Sequence, residues 1–219
     1  MYCPHCSAHV TADANRCQQC GFSAGHLHRT IGSQWVRLQR VTDAAQCLRL
    51  EDHRQLEVLL NDFERSFPQL FFAAYLGVLP ASLNVSELGF WLLNQGAFET
   101  PSLIRRNDFG LLLVIDPSTR QFSLTAGYAI EGLFRHDRVI KLLKAAGKDL
   151  AKGAFAAAIA KVCDECSRLL RKAGRRTTWT PAEQTGAENL GHLGLEPLRG
   201  GHRPSAQPMT SPERISNSR

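Results

Sequence analysis

The sequence predicts an α/β domain, preceded by a small module built on cysteine pairs and followed by a polar tail without regular structure. Three observations carry this prediction. The stretch NDFGLLLVIDPSTRQFSLTAGYAIEG, from Asn107 to Gly132, reads as a β-hairpin. On both sides of it lie segments with apolar residues at spacings of three and four, the period of helices that cover a sheet. Two Cys-x-x-Cys pairs fall between Cys3 and Cys20.

At 219 residues the chain has room for one ordinary domain of roughly 100 to 200 residues plus appendages. With 43% hydrophobic and 21% charged residues it has the composition of a globular protein, neither depleted in apolar groups nor dominated by charge. The net charge is +6, and much of the excess lies late, in Arg171, Lys172, Arg175, Arg176, Arg199, Arg203, Arg214 and Arg219. Such a segment either stays solvated and keeps the protein soluble or touches nucleic acid and other acidic surfaces. The longest apolar run, Leu70 to Leu79, is far short of the roughly 20 residues that cross a bilayer as a helix. The start, Met1-Tyr2-Cys3-Pro4-His5-Cys6, has neither the basic nor the apolar region of an export signal, so the expected compartment is the cytoplasm. Cysteine usage agrees, because the pattern is of metal type and not a disulfide framework.

The elements follow in order. CPHC, ten residues, then CQQCG presents four thiolates, Cys3, Cys6, Cys17 and Cys20, that can close tetrahedrally on zinc. Gly21 lets the backbone turn so that amides face the sulfurs. His5 and His9 are alternative ligands nearby, but four cysteines already fill a structural site. This stretch, 1–24, resembles the short zinc-ribbon modules at the N-terminus of many bacterial proteins. Residues 25–40 read as a linker with a short strand or helix around Gln34 to Leu38, and Trp35 is expected to dock on the main domain.

Leu56, Leu59, Leu60, Phe63 and Phe67 define an amphipathic helix from Leu50, ended by Pro68. Leu70 to Val78 reads as a core strand closed by Pro80. Asn84 with Glu87 three residues on is an N-cap with its reciprocal partner, opening a helix to about Asn94 that Gly96 ends. A loop with Pro101, Arg105 and Arg106 leads to the hairpin. There the apolar run Phe109 to Ile115 is a buried strand, Asp116 to Thr119 a turn, and Phe122 and Leu124 alternate with polar residues along a strand with one wet face. A helix from Arg138 to Ala145 is expected to break at Gly147. Another runs from Gly153 to Leu170, and the Cys-x-x-Cys within it, Cys163 and Cys166, reads as buried thiols on one face. Residues 173–219 hold too few large apolar groups to offset the entropy of ordering and read as a disordered tail, with Trp179 and Leu190 to Leu198 as short docking elements.

VTDAAQCL at Val41 to Leu48, the helix after it, the Leu70 to Val78 strand, NDFGLLLVID, Arg120 after its turn, and GYAIEGLF followed by two helices together resemble the TPM domain. This phosphatase-like domain occurs in thylakoid-lumen proteins of photosystem repair, in bacterial exported or membrane-tethered proteins and in animal membrane modulators. The resemblance covers residues 41–172. It implies an α/β/α sandwich in which a small mixed sheet is covered by helices on both faces. It also implies divalent cations, calcium or magnesium, at an acidic cleft, and acid phosphatase activity in some members. Carried over by position, the ligands are Asp43, Asn107 or Asp108, Asp116 and Glu131, whose oxygens suit hard cations. The chain departs from the family pattern at Asp108-Phe109, where Asn-Gly is usual, at Thr119, where an acid is common, and at Ala129, where the family has glycine. Each acid also has a local reading: Asp43, Asp108 and Asp116 as turn formers, Glu131 as a cap for a helix near Phe134.

No nucleophile and base pair is recognisable, so no catalytic residue is assigned. The preferred expectation is a non-catalytic binding or regulatory module in the cytoplasm that acts through a protein partner. The competitor is a metal-dependent, phosphatase-like hydrolase in which Arg120 or Arg106 neutralises phosphate charge; it requires Asp43, Asp108, Asp116 and Glu131 to converge in one cleft. A third expectation is nucleic-acid binding by the ribbon and the basic tail.

Overall fold

The two apolar runs around Phe72 and Leu113 form the central strands of the sheet, and their lack of alternation has a simple cause: both faces are covered. A computed structural model describes residues 2–11, 14–99 and 107–175. Within them the chain forms α1 (Ala24–Thr30), β1 (Val36–Leu38), β2 (Val41–Asp43), α2 (Leu50–Ser66), β3 (Phe71–Leu76), α3 (Val85–Gln95), β4 (Gly96–Phe98), β5 (Gly110–Asp116), β6 (Gln121–Ala126), α4 (His136–Ala151) and α5 (Phe155–Gly174). The main sheet has the order β2-β3-β5-β6, with the first three strands parallel and β6 antiparallel to β5. A second, two-stranded parallel sheet pairs β1 with β4.

Successive side chains of β3 and β5 point to opposite faces. Phe72, Ala74, Leu76, Leu111, Leu113 and Ile115 pack with Leu56, Leu60 and Phe63 of α2, Leu142, Ala146 and Leu150 of α4, and Ile159, Val162 and Cys166 of α5. Phe71, Ala73, Leu112 and Val114 pack instead with Leu27 of α1, Leu38 of β1 and Leu88, Trp91 and Leu92 of α3. The arrangement is therefore the three-layer sandwich expected, with helices on both faces of a small mixed sheet. Cys163 and Cys166 are buried thiols of that core, as their spacing predicts, and burial pushes Cys163 up to about 12.

Several local expectations change. The stretch 25–40 contains α1 as well as β1, and Trp35 is 71% exposed instead of docked. The strand after α2 stops at Leu76, which leaves Val78 in solvent. Gly147 lies inside α4 because the buried stripe Leu142, Ala146 and Leu150 continues across it, and that packing offsets the ~1 kcal/mol that an interior glycine costs. The break falls at Gly153, whose φ of +73° suits the left-handed position after a helix. Asn84 and Glu87 form the expected capping box of α3. The described residues belong to the unit Met1–Thr177; a second unit, Thr178–Arg219, lies outside them, and so do Trp179 and 190–198.

Candidate functional site

Two arrangements of chemically capable side chains stand out, a cysteine cluster and a cleft beside it. In the cluster, Cys3 Sγ and Cys20 Sγ stand 3.7 Å apart and Cys6 Sγ and Cys17 Sγ 3.6 Å apart, with all four sulfurs within 4.8 Å of one another. Sulfurs placed tetrahedrally about an ion at about 2.3 Å would be separated by about 3.8 Å, so the set has the dimensions of a closed four-sulfur metal site. The backbone turns that make it are those of two knuckles. Amides of His5 and Cys6 point at the Cys3 sulfur, those of Gln19 and Cys20 at Cys17, and that of Phe22 at Cys20. The amide bonds draw the Cys17 thiol down to about 7, while burial pushes Cys3 up to about 12. Gly21, at φ +74°, supplies the turn of the second knuckle.

The cysteine module is seated on the core by polar contacts that span most of the chain. Tyr2 N–H donates to Glu131 Oε1 at 3.0 Å, and His5 Nδ1–H donates to Glu87 Oε1 at 2.6 Å. Glu87 therefore serves twice, since its other oxygen accepts from Asn84 N–H at 3.1 Å in the capping box. Phe22 stacks on His5 and sets its edge against Phe90 of α3, and in the segment after the module Gly32 O accepts from Trp91 Nε1–H at 2.8 Å. No local pattern marks His5, Tyr2 or Trp91 for these roles; the one signal available was the capping box, which identified Glu87 as a fixed carboxylate.

Between this module, α3, β6 and α4 lies a cleft of about 730 Å³. Asn107, Asp108 and Glu131 stand on its wall together with Tyr128 and His136. Asn107 is anchored by its Nδ2–H bond to Gly96 O at 2.7 Å. Burial, and after it the charge of Glu131, push the Tyr128 phenol above its ordinary value. Gly127 is needed here for close approach: a Cβ on it would meet Asn107 O and Asp108 O at 2.3 Å.

The other two predicted ligands are elsewhere. Asp116 ends β5 and Asp43 ends β2, both at the C-terminal edge of the parallel strands, whereas Asn107 and Asp108 precede β5. Seven strand residues separate the two ends of β5, about 20 Å. Asp43 accepts from Cys47 N–H at 3.2 Å and Leu48 N–H at 2.7 Å, and so closes the loop into α2. Asp116 accepts from Ser118 Oγ at 2.6 Å, Ser118 N–H at 2.9 Å and Leu79 N–H at 3.4 Å. Burial alone would raise its carboxyl, but the bonds from Ser118 and Thr119 outweigh it and hold the group below the usual range. Both behave as the turn formers that their positions allow. Arg120 is exposed in the same turn at φ +56°, and Arg106 lies outside the described residues. Among the described residues, the cysteine set is the one group of three or more His, Cys, Asp or Glu side chains close enough to share an ion.

A model of the TPM domain matches residues 41–169. The chain belongs to the TPM domain family. Among the solved structures similar to it are two determined by NMR in solution. The N-terminal domain of a Corynebacterium glutamicum protein is 14% identical with a TM-score of 0.45, covering 59% of this chain and 78% of its own. The N-terminal domain of a P. gingivalis protein is 19% identical with a TM-score of 0.45, covering 67% of this chain and 88% of its own. No curated protein matches the chain. The cysteine module precedes the matched residues, and its contacts with Glu87 and Glu131 join it to the TPM domain.

Proposed function

We propose that this protein is a zinc-ribbon TPM domain that acts as a non-catalytic binding or regulatory module in the cytoplasm, where cysteines stay reduced and can hold zinc. Zinc is the ion that a closed four-thiolate set at this spacing suits best, and such a site organises a fold without leaving a coordination position for a reacting water. One observation carries the non-catalytic reading: the acidic residues that a hydrolase would need in one cleft are divided between the two ends of β5. Asp43 and Asp116 are spent on loop amides, and Glu131 accepts the backbone N–H of Tyr2.

The competing reading, a cation-dependent phosphatase-like hydrolase, is favoured by the presence of Asn107, Asp108 and Glu131 along one cleft. Oxygen ligands of this kind take calcium or magnesium. Assaying the full chain against p-nitrophenyl phosphate with calcium, magnesium or manganese separates the two. The binding-module reading expects no turnover that depends on these side chains. Metal-dependent turnover that disappears in Glu131→Gln and in Asp108→Asn would establish the hydrolase in its place.

A further inference from the structure

Within the described residues β6 is the edge of the main sheet, paired on one side with β5 and on the other with no strand. Register settles which of its backbone groups face outward. Gly127 N–H bonds Gly110 O at 2.8 Å, so the Gly110 and Gly127 pair is of the hydrogen-bonded kind. Antiparallel pairs alternate, which places Ser123 and Thr125 in bonded pairs with Val114 and Leu112. Phe122, Leu124 and Ala126 then turn their N–H and C=O groups away from β5, toward the edge.

That edge runs along the cleft, whose lining takes in every residue from Phe122 to Gly127. Its walls are α4, through Val139, Ile140 and Leu143, α3, through Ser86 and Phe90, and the cysteine module, through Tyr2 and Pro4. Ile140, an apolar residue on the rim, is 40% exposed. The charged groups are gathered at one end, where Asp108 lies beside Gly127 and Glu131 lines the same cleft, with His136 packed on the Tyr2 ring. Glu131 there already accepts one peptide N–H, that of Tyr2.

We infer that this cleft is a strand-addition site: an extended segment of a partner polypeptide pairs with the outward groups of Phe122, Leu124 and Ala126 and places a lysine, an arginine or a free α-amine against Asp108 and Glu131. The inference rests on the binding-module reading and names what the module binds. The occupant follows from the site. Outward-facing strand groups in a row are satisfied by another backbone in the extended form, as in other strand-adding recognition domains. The apolar walls accept alternate side chains from the two faces of such a strand. The acidic end selects a cation, and because it lies at the C-terminal end of β6, a segment that starts there runs antiparallel to β6.

The experiment uses the full chain with zinc bound and two synthetic probes, Lys-Val-Thr-Val-Thr-Val-amide with a free amine and acetyl-Glu-Val-Thr-Val-Thr-Val-amide. Hydrogen exchange followed by NMR is expected to slow by about tenfold or more at the Phe122, Leu124 and Ala126 amides when the lysine peptide binds, with little change at Ser123 and Thr125, which β5 already holds. The acidic peptide should bind about tenfold more weakly. Ala126→Pro removes one outward N–H at an edge position where proline is tolerated, and should weaken the lysine peptide by about tenfold. Ile140→Asp, on the exposed rim, gives the same loss by a route that leaves the strand untouched. Unprotected outward amides at saturating peptide overturn the inference, as does equal binding of the two peptides or protection that survives both variants. A cleft that takes only the small apolar dye anilinonaphthalene sulfonate, with no response to either peptide, overturns it too. These outcomes are independent of the phosphatase assay, so loss of the strand-addition site with no turnover leaves the binding-module reading standing.

Discussion

At the scale of single residues, carboxylates that share a type have different jobs set by what surrounds them. Asp116 is buried at the end of β5 and is held ionised by the Ser118 hydroxyl and by the amides of the turn, which explains why an acid follows a fully apolar strand. Its pKa is lower in the fold than in the unfolded chain. The stability it contributes is therefore fully present above the unfolded value of about 3.9 and is lost as pH falls through the lower folded value. Asp116→Asn is expected to cost about 1–2 kcal/mol at neutral pH, and the difference from the parent protein should shrink in urea titrations at about pH 3. An unchanged difference at the two pH values would remove the charge from this account. Glu87 is the contrasting case, one side chain whose two oxygens serve a helix start and a distant histidine.

At the scale of elements, most boundaries follow from local chemistry and one charged cluster joins elements that do not. Arg40, just before β2, reaches Asn61 Oδ1 at 2.9 Å, pairs with Glu57, and lies 3.4 Å from Glu64 Oε1, all on α2. Glu64 is 3% exposed and Glu57 half-exposed, so losing the Arg40 guanidinium costs more at Glu64. Replacing the guanidinium while keeping its stem, Arg40→Met, is expected to destabilise the fold by about 3 kcal/mol, and adding Glu64→Gln should recover part of this loss. Equilibrium unfolding of the single and double variants measures both effects. Helix α2 illustrates the opposite situation: its apolar spacing alone places Leu56, Leu60 and Phe63 against the sheet.

At the scale of the whole molecule, the cysteine module and the TPM domain are coupled through Tyr2, His5 and Phe22. Removing the proposed zinc should therefore be felt beyond the ribbon. One zinc per chain is expected by elemental analysis, and stripping it with a chelator should lower the melting temperature by about 5 °C and speed amide exchange in 2–22 and around Glu131. A melting temperature indifferent to chelation would separate the two modules energetically. What the sequence determined by itself is the part encoded in short-range chemistry. Knuckle spacing named the four cysteines, Asn84 and Glu87 announced a helix start, and the apolar run before Asp116 announced a buried strand. Leu27 gave no such sign, because α1 is held by packing against α3, about 60 residues away, and the short element expected around Gln34 to Leu38 was settled as a strand only by its pairing with β4. Trp35 carried the composition of a docking residue, yet it stands 71% exposed at the cleft. Only the tertiary structure decided how the acids group. The hairpin brings Asp108 and Glu131 to one end of the sheet, while the parallel direction of β2 and β5 carries Asp43 and Asp116 to the other. Strand direction is a property of pairing between distant segments, and no residue in any one of them records it.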